Sequence, residues 1–200
     1  MSIEASSLQR RTVVGVILRQ RGEALVVASL GNPCYDVMAQ GDRPDNFYVW
    51  GAMGGTVSLA LGLALAQPVR RVLALVGDGE MMMALGSLAT VAVQCPRNLS
   101  IVVIDNEHYG ETGMQRAHTG RGVDLVAVAR GVGFGQAYQV RTTAELDQRI
   151  ALLVGNDPGE LAFVAVKVGT EPAPMALPPR DGPYLRSRFR EHLLGAAAHE

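Results

Sequence analysis

Val72-Leu73-Ala74-Leu75-Val76-Gly77-Asp78-Gly79-Glu80, read together with Leu99-Ser100-Ile101-Val102-Val103-Ile104-Asp105-Asn106, decides the fold of this chain. Each stretch starts as an apolar run and ends on polar residues, and Asp105 lies 26 residues after Gly79. A helical pattern from about Glu80 to Val93 fills the interval. Runs this apolar suit strands buried on both faces, as in a parallel sheet covered by helices. Two parallel strands joined by one helix would bring Asp78 and Asn106 to neighbouring strand ends. A carboxylate and an amide oxygen placed together suit a hard cation, and free N–H groups at a helix start suit a diphosphate. The pair of stretches therefore predicts a metal-bridged diphosphate cofactor.

Outward from this unit, strands and helices alternate. Residues 6–21 read as a helix capped by Ser6 or Ser7, with Leu8, Val14, Ile17 and Leu18 inward. Short strands are expected at Leu25–Leu30, ending at Gly31-Asn32-Pro33, and at Phe47–Trp50. Gly54 to Ala66 reads as a helix packed through small residues. A long polar loop follows at 106–122, then a helix from Asp124 to Gly131 with Asp124 as its cap. A strand at Ala137–Val140, a helix starting at Thr142 or Thr143, and a strand at Leu161–Val168 complete the pattern. The expected fold is α/β: a single domain with a doubly wound, mostly parallel sheet and helices on both faces. Residues 1–169 make up this domain, and 170–200 form a Pro-rich extension. Its segment 184–197 reads either as an amphipathic helix docked on a partner or as a frayed tail. Ligands in such sheets sit beyond the carboxyl ends of the strands, where the loops at 31–33, 51–54 and 77–80 could converge.

Composition narrows the function classes. A net charge of -1 argues against a nucleic-acid binder, which is usually basic. The apolar stretch Val57–Ala66 is too short to span a bilayer, so no membrane role is expected. The polar, then basic start does not read as a signal peptide. Cys34 and Cys95 form no CxxC pair and read as small apolar residues of a reducing compartment, which makes a cytoplasmic protein the expectation. Glycines cluster near 51–55, 77–79 and 110–135, a sign either of close backbone approach to a ligand or of tight turns.

Asp-Gly on its own is a common turn. There is no GKS or GKT for a Walker A loop and no GxGxxG after an early strand. Yet Gly77-Asp78-Gly79, the 26-residue gap and Asn106 resemble the cofactor motif of thiamine diphosphate enzymes. Gly51-Ala52-Met53-Gly54 is similar to the segment upstream of that motif, and Asn106 to Gly113 to the loop behind it. With Asp42-Arg43 and Phe47-Tyr48, the pattern looks most like phosphonopyruvate decarboxylases and the β subunit of sulfopyruvate decarboxylase.

The resemblance implies roles. The Asp78 carboxylate, the Asn106 side-chain oxygen and the His108 backbone carbonyl would bind Mg²⁺. Gly77 belongs to the same motif, and the N–H groups of Gly79 and Glu80 would meet the diphosphate. Gly31 and Asn32 resemble a further diphosphate loop, and Tyr109 and Gly110 fall against the cofactor. The Gly51 carbonyl would accept a bond from the aminopyrimidine, and Met53 would hold the cofactor bent. Glu111, Thr112 and His118 are the candidate catalytic residues, with Gln115 beside them; as loop residues they could equally be solvated. Arg116 and Arg121 are either anion contacts or ordinary surface arginines.

Two residues depart from the family pattern. Glu80 stands where small residues are common, so it must point away from the diphosphate, meet a cation or cap the helix start. Asp105 replaces the usual Asn and is expected to orient the loop. A transition-metal site in 107–111 is disfavoured because no second His lies at helical spacing.

Complete enzymes of this kind carry a second α/β domain whose glutamate activates the aminopyrimidine. This chain has room for one domain. The resemblance therefore implies a hetero-oligomer with a separate pyrimidine-binding α subunit, decarboxylating a small 2-oxo acid to an aldehyde. A lone inactive remnant, an acetolactate synthase-like carboligase, an oxidative enzyme subunit and a cofactor-binding regulatory module are the alternatives.

Overall fold

The computed structural model describes residues 8–155 and 159–199. Ser6 and Ser7, the expected caps of the first helix, lie outside the described residues. In chain order the elements are α1 (Arg10–Arg19), β1 (Leu25–Ser29), α2 (Asn32–Met38), β2 (Asn46–Val49), α3 (Thr56–Ala66), β3 (Val72–Gly77), α4 (Asp78–Met83), α5 (Ser87–Gln94) and β4 (Leu99–Asp105). A two-residue hairpin pair follows, β5 (His108–Tyr109) with β6 (Gln115–Arg116), and then α6 (Leu125–Val132), β7 (Gln136–Val140), α7 (Thr143–Val154), β8 (Ala162–Lys167) and α8 (Gly182–Leu194).

Six strands form one sheet in the order β2-β1-β3-β4-β8-β7, and every neighbouring pair is parallel. β1 and β4 are buried along their whole length, as apolar strands between two helical layers must be. On one face α1, α2 and α7 cover Val26, Leu73, Val102 and Val164. On the other, α3, α5 and α6 cover Val27, Ala74, Ile101 and Phe163. β1 therefore leads into a helix on one face and β3 into a helix on the opposite face. That reversal opens a crevice between their carboxyl ends, the place where doubly wound sheets bind ligands.

Local chemistry sets several boundaries as expected. The Asp124 side chain accepts the N–H groups of Val126 and Ala127 and starts α6. Thr142 and Glu145 form a reciprocal capping box on α7.

Four features differ from the sequence reading. The Gly31-Asn32-Pro33 group ends a strand but also starts α2: Gly31 turns at φ 75°, and Pro33 sits in the first turn where its missing N–H costs nothing. The expected helix 80–93 is broken at Ala84–Gly86 into α4 and α5. The polar stretch 106–122 is folded into the β5–β6 hairpin and two 3₁₀ turns. The final helix docks on this chain's own edge strand, where Phe189 meets Phe47 edge-on at 5.3 Å and Leu185 is buried. Among the described residues no helix is long and apolar enough to cross a membrane.

Candidate active site

A cavity of about 170 Å³ lies at the crevice. The end of β1 contributes Ser29, Gly31 and Asn32, and the end of β3 contributes Gly77, Asp78, Gly79 and Glu80. Ile104 and Asn106 come from the end of β4, and His108, Tyr109, Gly110, Glu111 and Thr112 from the hairpin region. Met53 closes one side. The parallel register pairs Gly77 with Ile104, which sets Asp78 and Asn106 on adjacent strand ends.

Asp78 is the most telling group. It is 2 % exposed, and among the described residues no Lys, Arg or His pairs with it. Burial pushes its pKa up to about 6, with the nearby Asp105 charge adding to the effect. The Thr119 hydroxyl lies 2.9 Å from Asp78 Oδ2 and 2.9 Å from Asp105 Oδ1. Asp105 Oδ1 also accepts the Glu107 N–H at 3.1 Å, and Asp105 Oδ2 meets Lys167 Nζ at 2.7 Å. Lys167 reaches Glu107 Oε1 at 2.7 Å as well. Burial opposes the lysine charge, but these two partners outweigh it and raise the Lys167 pKa. Asp105 thus orients the loop, as expected from its departure from the family pattern.

Glu107 adopts φ 62°, a left-handed conformation uncommon outside glycine. It is pinned there by the lysine and by the Ala117 N–H, which donates to its carbonyl at 2.7 Å. Asn106 Oδ1 accepts the His108 N–H at 3.1 Å, which fixes the amide.

Glu80 reaches across to α3. Its Oε1 accepts the Thr56 N–H at 3.1 Å, so it caps α3 and not its own helix. Burial raises its pKa. Its Oε2 and the Thr56 hydroxyl are buried, and among the described residues neither has a hydrogen-bond partner of ordinary geometry.

Two glycines are dictated by space. A Cβ on Gly79 would collide with the Tyr109 ring, and one on Gly31, already at positive φ, would lie 3.1 Å from Glu111 Cγ. Glu111 is held on the other side by the Tyr35 hydroxyl, which donates to its Oε2 at 3.2 Å.

Of the residues singled out from sequence, Gly51, Gln115, Arg116, His118 and Arg121 are not among those lining the cavity. Gly51 sits in an exposed turn at φ 66°, and His118 Nδ1 meets the Tyr109 hydroxyl at 3.2 Å. Among the described residues no three His, Cys, Asp or Glu side chains are grouped for a metal ion. Sequence reading missed Thr119, Lys167, Tyr35, Ser29 and Arg10. Ser29 ties the two strand ends, accepting the Gly77 N–H at 3.3 Å.

Residues 33–166 match the family model for the C-terminal thiamine pyrophosphate-binding domain of thiamine pyrophosphate enzymes. The chain belongs to this family. It is 38 % identical over 174 residues to the sulfopyruvate decarboxylase subunit beta of Methanothermobacter thermautotrophicus, covering 87 % of this chain and 89 % of that subunit. It is 36 % identical over 148 residues to the phosphonopyruvate decarboxylase of Streptomyces viridochromogenes, which covers 74 % of this chain but only 37 % of that protein. Benzoylformate decarboxylase from Polynucleobacter necessarius shares the fold, with a TM-score of 0.67 at 22 % identity over 88 % of this chain and 36 % of its own. The match is to a thiamine pyrophosphate-binding domain, and it spans the ends of β3 and β4 that line the crevice.

Proposed function

We propose that this chain is the cofactor-binding subunit of a thiamine diphosphate-dependent decarboxylase acting on a small 2-oxo acid with an anionic group, sulfopyruvate or phosphonopyruvate in type. The observation behind it is Asp78: a buried carboxylate with no cationic partner among the described residues, beside Asn106, at the switch point of the sheet. An unpaired buried carboxylate is costly, and a bound cation removes the cost. The oxygen donors fit a small hard ion. Asp78, Asn106 and the His108 carbonyl would hold Mg²⁺, with the N–H groups of Gly79 and Glu80 and the loop Gly31-Asn32 against the diphosphate. Gly77 leads the chain into this grip, while Tyr109 and Gly110 pack across it.

When bound, thiamine diphosphate supplies an electron sink for the loss of CO₂ from a 2-oxo acid. This chain's residues bind and orient. Gly51 and Met53 would hold the pyrimidine–thiazolium end, Met53 from the cavity wall and Gly51 from the turn beside it. Glu111 and Thr112 would meet the substrate from the cavity wall, with Tyr35 fixing the Glu111 carboxylate. His118 acts on the cavity through the Tyr109 hydroxyl.

A cavity of about 170 Å³ is small beside the roughly 300–1,000 Å³ of pockets that enclose a ligand. It suits a half-site completed by another polypeptide. The relatives called subunit beta belong to multi-subunit assemblies by name, while the match covers only 37 % of the phosphonopyruvate decarboxylase of Streptomyces viridochromogenes. The partner is a pyrimidine-binding subunit that supplies the activating carboxylate. The proposal includes a cytoplasmic location, where the thiols of Cys34 and Cys95 stay reduced.

The test is reconstitution. The chain alone releases little CO₂ from sulfopyruvate or phosphonopyruvate, and adding the pyrimidine-binding subunit restores turnover to an aldehyde. High turnover by the chain alone would overturn the two-subunit reading. A condensed hydroxy-oxo acid product would point to carboligation, and no CO₂ from the pair would point to a regulatory module.

A further inference from the structure

The Pro-rich extension does more than trail from the sheet. The Trp50 indole N–H donates to the Pro179 carbonyl at 2.8 Å, and the Arg180 guanidinium sits 5.3 Å from the Trp50 ring centroid. Further back, Arg11 Nη2 donates to the Pro174 carbonyl at 2.7 Å. Asp181 then caps α8, whose Arg188 pairs with Asp42. The segment is thus tied to the domain at Pro174 and again at Pro179 and Arg180, and it lies outside the residues that match the family model.

Trp50 is covalently next to Gly51, the start of an exposed turn that carries Met53 into the cavity. Gly51 and Gly54 both hold positive φ, at 66° and 86°. Such a turn has wide backbone freedom and needs an external anchor to present one conformation. A polar indole edge bonded to a carbonyl, with a cation over its face, is such an anchor. The Trp50 ring also lies against Tyr35, with centroids 6.4 Å apart, and Tyr35 holds Glu111.

We propose that Trp50 is a positioning residue, gripped by Pro179 and Arg180 of the extension, that fixes the 51–54 turn for the aminopyrimidine end of the cofactor. The inference rests on the function proposed above. It assigns the extension a part in cofactor recognition. It separates two ends of one ligand: the diphosphate end is held by Asp78, Asn106 and the Gly79 backbone, and the ring end depends on Trp50.

The experiment titrates the full chain with Mg²⁺ plus thiamine diphosphate and, separately, with Mg²⁺ plus inorganic diphosphate. Trp50→Phe removes the N–H donor and keeps an aromatic ring. It weakens thiamine diphosphate about fivefold, the worth of one such bond, and leaves inorganic diphosphate within about twofold. Arg180→Ala shifts thiamine diphosphate in the same direction by a smaller factor. Trp50 is the single tryptophan, so its fluorescence in the wild-type chain responds to thiamine diphosphate and not to inorganic diphosphate. Asp78→Ala loses both ligands. Unchanged thiamine diphosphate affinity in both variants overturns the inference, as does a proportional loss of both ligands in Trp50→Phe. If Asp78→Ala binds both ligands like the wild type, or the wild type binds neither, the metal–diphosphate reading itself fails.

Discussion

The Thr119 hydroxyl lies 2.9 Å from the Asp78 carboxylate and the same 2.9 Å from Asp105, although a hydroxyl has only one proton to donate. Lys167 already satisfies Asp105, so the proton is best spent on Asp78. There it would aim the carboxylate at the cation, as outer-shell partners do for metal ligands. Thr119→Val should weaken Mg²⁺-dependent binding of thiamine diphosphate by about tenfold, and Thr119→Ser should restore most of it. Calorimetric Mg²⁺ titrations check this; equal affinity in the Val variant would show that Asp78 needs no orienting donor.

The unpaired Asp78 carboxylate predicts a function–stability conflict in the metal-free chain. Its folded pKa of about 6 exceeds the roughly 4 of an unfolded aspartate. Between those values the folded state binds more protons, so stability falls as pH rises through the window and the penalty is complete above it. Asp78→Asn should therefore raise metal-free stability at pH 7.5 by on the order of 2 kcal/mol, while abolishing Mg²⁺ binding. The gain should vanish near pH 4. Urea melts at the two pH values measure it, and a wild-type chain more stable than the variant at pH 7.5 would contradict the argument.

The strand-end chemistry was legible because periodicity and spacing act locally. Two apolar runs fix two parallel strands, and the residues that end them must meet. Gly31 and Asn32 could be placed on the same rim for the same reason. Thr119 and Lys167 were not legible: one lies in a loop and the other ends a strand far along the chain, and only tertiary folding brings them to Asp105. The break between α4 and α5 was masked because the apolar pattern runs through Ala84-Leu85-Gly86. Glu80 was readable as a helix cap, but not that the helix capped would be α3. The destination of α8 was hidden too, since an amphipathic pattern says that a face is covered without saying by what.

Gly79 offers a test in backbone terms. Its Cα lies under the Tyr109 ring, with no room for a methyl group. Gly79→Ala should displace Tyr109 and, with it, the hydrogen bond to His118. Binding of thiamine diphosphate should fall at least tenfold, with the loss of stability limited to about 1–3 kcal/mol as for other overpacked sites. The gap between the two effects is the diagnostic: a variant that binds normally would place the diphosphate elsewhere.

Lys167 should be needed for stability only while Asp105 is a carboxylate. Lys167→Met leaves Asp105, whose side chain is 3 % exposed, without its cation and next to Asp78. Removing one partner of a buried pair costs about 3–5 kcal/mol, and the 15 % exposure of the lysine side chain moves the expected loss to the lower part of that range. Asp105→Asn removes the second carboxylate and can still accept the Thr119 hydroxyl and the Glu107 N–H. In the Lys167→Met background it should recover most of the loss, and chemical denaturation of the four chains of this cycle measures the coupling. Additive losses would mean that Lys167 serves Glu107 alone; a strongly non-additive result identifies the Asp105–Lys167 pair as the device that lets two aspartates share the end of the sheet.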